Sequence, residues 1–149
     1  MNGRVQSGTD ALGQARTYTY DLIKNSMTVT FPPDGSGNIG SETSVDDSYG
    51  MMLSYTNPLG FTTTYTYDAN HNRTSETDPL GRTTTYTYDS NGNTTSTTYP
   101  ATATSKNTTS YTAYNQYSEP TSVTDELGNV RVYNYDANYN PQKIGRAHV

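Results

Sequence analysis

The segment Asp78-Pro79-Leu80-Gly81-Arg82-Thr83-Thr84-Thr85-Tyr86-Thr87-Tyr88-Asp89 has a near copy just before it in the chain, Asn57-Pro58-Leu59-Gly60 through Tyr65-Thr66-Tyr67-Asp68. Further copies run from Asp10-Ala11-Leu12-Gly13 to Tyr18-Thr19-Tyr20-Asp21 and from Asp125-Glu126-Leu127-Gly128 to Tyr133-Asn134-Tyr135-Asp136. Two degenerate copies lie between them, at Tyr114-Asn115 and at Asp46-Asp47-Ser48-Tyr49-Gly50, where Asp46 stands in the tyrosine place. The marker position therefore falls at residues 20, 46, 67, 88, 114 and 135, with spacings of 26, 21, 21, 26 and 21. Every third marker recurs at one constant offset (Tyr20 to Tyr88, Asp46 to Tyr114, Tyr67 to Tyr135), so three hairpin-sized units form a superperiod. Such self-similarity constrains the fold more than any local propensity, because each unit must pack against a copy of itself.

Each unit reads as a β-hairpin. In Thr-Tyr-Thr-Tyr the two tyrosines alternate with threonine and share one strand face, while threonine takes the other. Both residue types favour strands. Ser90-Asn91-Gly92-Asn93 marks a turn, since Asn-Gly suits the positive φ values of a tight hairpin. Asp89 is placed to accept hydrogen bonds from backbone amides two residues on. The return strands, Asn93 to Thr98 and Arg73 to Thr77, are polar and β-prone. Asp78-Pro79-Leu80-Gly81 then makes the next turn, with proline second and glycine fourth. Pro32 to Gly37 and Pro100 to Asn107 start one superperiod apart and read as one longer loop, tolerated because closure cost grows slowly with length. No helical apolar period is sustained anywhere.

Composition narrows the function. The 149 residues include 28 Thr and 15 Tyr, no Cys and no Trp, and carry a formal charge of −5. Leu, Ile, Val and Phe together number 18, too few for an ordinary compact core, so the segment is expected to share its core with neighbouring repeats. Its cut strand edges are then expected to associate as concentration rises. Nine Lys and Arg spread against 14 acids do not make a nucleic-acid patch. No run approaches the ~20 apolar residues of a membrane-spanning helix. No apolar signal segment opens the chain. Without cysteine there is neither a disulfide framework nor a cysteine zinc site.

Candidate chemistry is sparse. Asp68-Ala69-Asn70-His71-Asn72, Asp89-Ser90-Asn91-Gly92-Asn93 and Asp136-Ala137-Asn138-Tyr139-Asn140 have the oxygen spacing that opens a calcium loop. The first two lack its glycine at position 6 and its glutamate at position 12, so turn formation is the reading preferred to weak calcium binding. His71 sits at a turn tip, and adjacent Asp46 and Asp47 on a strand point to opposite faces, so no acid–base pair forms. No catalytic set, metal-ligand set or cofactor site is expected. Tyr65 and Tyr86 are the residues best placed for a ligand platform, since stacked rings can bind sugars. The preferred reading is that the tyrosine rows are the core of the sheet, since no other large apolar residues could fill that face. Sequons at Asn72, Asn93 and Asn107 are expected by chance in a chain this rich in Asn and Thr.

Tyr88-Asp89-Ser90-Asn91-Gly92-Asn93, polar strand residues and then Asp-Pro-x-Gly resemble the YD repeat of Rhs (rearrangement hotspot) proteins. Wall-associated proteins, insecticidal toxin-complex C subunits and teneurins carry similar repeats. The resemblance covers residues 9–142 and rests on Tyr20, Asp21, Tyr67, Asp68, Gly81, Tyr88, Asp89, Gly92, Tyr135 and Asp136. The motif glycine is replaced by Asn25, His71, Ser118 and Tyr139. The resemblance implies an all-β fold in which tandem hairpins build part of a spiralling sheet, a β-barrel-like shell. It further implies a fragment of a large exported bacterial protein, secreted or at the cell surface, whose shell encapsulates a C-terminal toxin. Its partners would be neighbouring repeats and the enclosed toxin domain. A cell-surface adhesion or glycan-binding module is the alternative. Lys143-Ile144-Gly145-Arg146-Ala147-His148-Val149 breaks the repeat and resembles the translation of a sequencing-adapter oligonucleotide. This tail is expected to be non-native read-through and no part of the repeat fold.

Overall fold

The computed structural model describes residues 3–9, 13, 15–102, 108–136 and 140–147, with side chains for all of these except 3–5, 108 and 143–147. The expected turn at residues 10–12, part of the second long loop (103–107), residues 137–139, and His148 with Val149 lie outside them.

The described residues form thirteen strands. They are β1 (Gly3–Thr9), β2 (Ala15–Asp21), β3 (Ser26–Thr30), β4 (Ser41–Asp46), β5 (Met52–Thr56), β6 (Thr62–Tyr67) and β7 (Arg73–Thr77). There follow β8 (Thr83–Tyr88), β9 (Thr94–Tyr99), β10 (Thr108–Tyr114), β11 (Pro120–Thr124), β12 (Val130–Tyr135) and β13 (Pro141–Ala147). The fold is all-β and built of tandem antiparallel hairpins. The chain divides into two compact units, Met1–Thr66 with Thr77–Gly81, and Tyr67–Glu76 with Arg82–Val149.

In the first unit the strands pair antiparallel in chain order from β1 to β6. One cross-strand row runs Tyr20, Met27, Ser44, Tyr55 and Thr63, and the next runs Tyr18, Val29 and Glu42. Rows of this kind, rather than isolated strands, are what stabilise a sheet. Val29, 5% exposed, is the one buried hydrophobic side chain among the described residues. The tyrosines of β2 and β6 are half-buried, and threonines 17, 19, 62, 64 and 66 on the opposite face are exposed. The alternation expected from the Thr-Tyr-Thr-Tyr spacing therefore holds. The packing is looser than a closed core, and no described side chain falls below 2% exposure.

The second unit repeats the arrangement from β8 to β13. Tyr86 pairs with Thr97, which pairs with Ser110. Thr85, Thr98 and Thr109 make the neighbouring row, where the Thr98 and Thr109 hydroxyls are 3.0 Å apart. Residues 143–147 of the C-terminal segment lie within β13, which pairs with β12.

The turns depart from one expectation. Asn91 does not adopt positive φ. Asp89 N–H donates to Asn93 C=O (3.0 Å) and Gly92 N–H to Asp89 C=O (3.1 Å), so the loop has three residues and only Gly92, at φ 82°, is left-handed. A type I turn followed by one left-handed residue is the three-residue solution for a hairpin. His71 (φ 65°) and Ser118 (φ 64°) occupy the same place in their turns. Asn25 (φ 48°) is left-handed in the turn after β2. These are the glycine replacements read from the sequence, and each carries the strain that a Cβ brings there.

Candidate functional site

The feature that recurs from hairpin to hairpin is an aspartate or asparagine at the head of a turn whose side chain holds the residues after it. Asp89 Oδ1 accepts the amides of Asn91 and Asn93, both at 2.9 Å, and Oδ2 accepts Asn93 Nδ2 at 2.9 Å. Asp68 does the same with Asn70 and Asn72 at 2.9, 2.9 and 3.0 Å. Asp125 with Asn129 and Asp34 with Asn38 repeat the clamp, and Asp136 holds the amide and side chain of Asn140. Asp21 accepts the amides of Ile23 and Lys24 instead. Asn57 takes the aspartate's place before Phe61, and Asn115 before Glu119, whose carboxylate then receives Asn115 Nδ2 at 2.6 Å.

These bonds favour the charged carboxylate. The Asn72, Asn93 and Asn129 side-chain amides, then the backbone amides of the same residues, hold Asp68, Asp89 and Asp125 below their ordinary 3.8. For Asp34 the backbone amide of Asn38 leads. Their carboxylate oxygens are committed to the turn, which is the turn-forming role anticipated for Asp68 and Asp89.

The marker tyrosine works across strands. Tyr88 Oη donates to the carbonyl of Arg73 at 2.7 Å, Tyr114 Oη to Thr94 at 3.0 Å, and Tyr135 Oη to Pro120 at 2.8 Å. In each case the acceptor is the first residue of the preceding strand. A β-bulge accompanies the marker on the other side. The register skips one residue opposite Asp46, Tyr88 and Tyr114, leaving Leu53, Thr95 and Thr121 unmatched. Bulges bend a strand and re-aim its side chains. Neither the bulge residues nor the tyrosine acceptors are marked in the sequence, because both depend on which residues face each other across the sheet.

The two platform residues lie in different units. Tyr65 is half-buried on β6. Tyr86, on β8, lies beneath the Arg73 guanidinium, 5.2 Å from its ring centroid, and Arg73 also pairs with Glu76 at 3.1 Å. The cation occupies a ring face that a sugar would otherwise stack on. Burial raises Tyr86 above its ordinary 10.0, opposed by Arg73. Tyr55 is raised chiefly by its 2.6 Å hydrogen bond to Glu42, and Tyr135 chiefly by burial.

Asp46 is the exception among the markers. Ser26 and Asp46 stand one superperiod before Thr94 and Tyr114. Where Tyr114 spans that distance with a ring, Asp46 leaves a cleft of about 150 Å³ lined by Tyr20, Asp21, Leu22, Asn25, Ser26, Met27, Ser44 and Asp46. Asn25 Nδ2 donates to the carbonyls of Asp46 and Asp47, and Asn25 C=O accepts the Asp46 amide, so Asn25 ties the turn after β2 to the end of β4.

The RHS Repeat family model matches residues 47–82 and again residues 68–104. The first match spans β5, β6 and β7 with their turns, and the second spans β7, β8 and β9 with theirs. No curated protein matches the chain. Among the described residues no helix is long and apolar enough to cross a membrane.

Proposed function

We propose that this chain is a structural segment of a large exported Rhs-type protein, a reading supported by the RHS Repeat matches at residues 47–82 and 68–104. It forms part of the wall of a β-shell that encloses a C-terminal toxin and helps deliver it. One observation supports a structural over a ligand-binding role. The motif side chains are committed to the chain's own backbone: Tyr88, Tyr114 and Tyr135 donate to neighbouring strands, and Asp68, Asp89 and Asp125 close turns. A repeat whose signature residues hold the next repeat in register builds surface rather than chemistry, so the segment itself is no enzyme. Its partners are neighbouring repeats and an enclosed guest domain, and its location is outside the producing cell or on its surface.

The alternative, a cell-surface adhesion or carbohydrate-binding module, rests on exposed rings such as Tyr111, 57% exposed. Sequencing the source locus through and beyond codon 142 separates the two. Further repeats leading into a variable C-terminal domain support the toxin shell. A wall anchor or membrane span replaces it with adhesion.

A further inference from the structure

We propose that Asn91 is a site of spontaneous covalent modification, where the Gly92 nitrogen closes on the Asn91 side chain and converts it to aspartate and isoaspartate. A side-chain amide or carboxyl followed by glycine is the pair that reacts this way, because a residue without Cβ lets its backbone nitrogen approach closely. The chain has three such pairs, Asn2-Gly3, Asp34-Gly35 and Asn91-Gly92. Asn2 lies outside the described residues. Between the other two the structure chooses. Asp34 spends Oδ1 on the amides of Ser36 and Asn38, and Oδ2 on Asn38 Nδ2. Those bonds tie the carboxyl to residues beyond Gly35 and favour its charged form, whose carbon resists attack by nitrogen. Asn91 is exposed at the tip of the turn after β8, and among the described residues its side-chain amide makes no hydrogen bond. Its backbone N–H is held by Asp89 Oδ1, which leaves the side chain free to turn toward Gly92.

The turn after β6 is a built-in control. It has the same aspartate clamp, and Asn70 is exposed at the same place in it. His71 N–H donates to Asp68 C=O at 3.0 Å, as Gly92 N–H donates to Asp89 C=O at 3.1 Å. Ring closure breaks that bond in either turn, by local opening of an exposed segment. What differs is the side chain on the attacking residue, so Asn91 reacts ahead of Asn70. In the step itself Gly92 N bonds to Asn91 Cγ and the Cγ–Nδ2 bond breaks. Nδ2 leaves as ammonia, carrying the proton lost by Gly92 N. Water then opens the cyclic imide at either carbonyl, giving aspartate or, with the backbone routed through Cβ, isoaspartate. Isoaspartate adds a backbone carbon between residues 91 and 92, inside the loop that Asp89 closes on Asn93. Asn93 Nδ2 also donates to Ser118 Oγ at 3.0 Å, so the change loosens this turn and its hold on the turn after β10.

The test is to age the folded chain at mildly alkaline pH, where base removes the amide proton, and to map its peptides with fragment spectra that place each change. Asn91 gains the mass of oxygen in place of NH while Asn70 in the same digest stays largely intact, and isoaspartate forms at 91 but not at 34. Asn2 is read on its own peptide. In Gly92→Ala, whose added Cβ meets Asn72 Oδ1 at an ordinary 3.5 Å, Asn91 converts as slowly as Asn70. The aged wild type melts below the fresh protein, whereas Asn91→Ser aged beside it melts as it did when fresh. An unconverted Asn91 in the aged wild type overturns the proposal, as does Asn70 or Asp34 reacting as fast. A wild type fully converted at 91 that melts like the fresh protein overturns the loosening of the turn. None of these results depends on whether the parent protein is a toxin shell.

Discussion

Restoring the absent marker tyrosine, Asp46→Tyr, should stabilise the protein. The ring enters the cleft between Asp46 and Ser26 in the way Tyr114 covers Thr94. A fully buried tyrosine removes ~150–250 Å² from water. Half of that, about 100 Å² at ~25 cal/mol/Å², stabilises by about 2.5 kcal/mol. A hydroxyl bond to the Ser26 carbonyl adds about 1 kcal/mol. Ordering the side chain costs about 1 kcal/mol. The net is roughly 2.5 kcal/mol, which for a chain of this length raises Tm by about 5–10 °C. Asp46→Phe keeps the ring and loses the hydroxyl bond, so it should fall about 1 kcal/mol short of the tyrosine variant. Thermal melts followed by circular dichroism, with urea titrations for the free energies, read both numbers. A tyrosine variant no more stable than wild type, or no more stable than the phenylalanine variant, would refute the equivalence of the two positions.

Four further outcomes follow from the same geometry. Tyr88→Phe and Tyr135→Phe should each lose about 0.5–1.5 kcal/mol in urea titration, because each frees a carbonyl acceptor, whereas exposed Tyr111→Phe should stay within about 0.5 kcal/mol of wild type. His71→Gly should gain up to about 1 kcal/mol by relieving a left-handed Cβ, and Gly81→Ala, at φ 78° with open space around its Cβ, should lose about 1 kcal/mol to backbone strain alone. The lowered carboxyls of Asp68, Asp89 and Asp125 give stability that is present above their ordinary 3.8 and lost as pH falls through the lower folded values. Acid titration of Tm should show that loss, reduced in Asp89→Asn, which keeps the turn as Asn57 does. The raised tyrosines work at the other end, where stability falls as pH climbs above 10.0.

Much of this fold is legible in the sequence because the repeat supplies its own alignment. The regular marker spacing places each Thr-Tyr-Thr-Tyr on a strand and each Asp-x-x-Gly on a turn, and β6 and β8 alternate as that spacing requires. The turn at Asn91-Gly92 is legible as a turn but not as to type. Its dipeptide fits a two-residue loop, and the choice of three is made by Asp89 capturing the amide and side chain of Asn93. Asn93 itself looks like an ordinary polar residue until its distance from Asp89 is known. The bulges at Leu53, Thr95 and Thr121 leave no mark in composition, because a skipped residue is defined by its partner strand. The cleft at Asp46 is half legible. The substitution is evident from the superperiod, but the empty space needs the neighbouring Ser26 and Met27 to be placed.

The central claim is that the tyrosines are spent on holding strands together and not on binding a partner's sugars. A glycan array probed with the wild type, Tyr65→Ala and Tyr86→Ala, alongside thermal melts of all three, tests it most directly. The account predicts a silent array for the wild type and a lowered Tm for both variants. A strong glycan signal that disappears in variants with unchanged melts would contradict it.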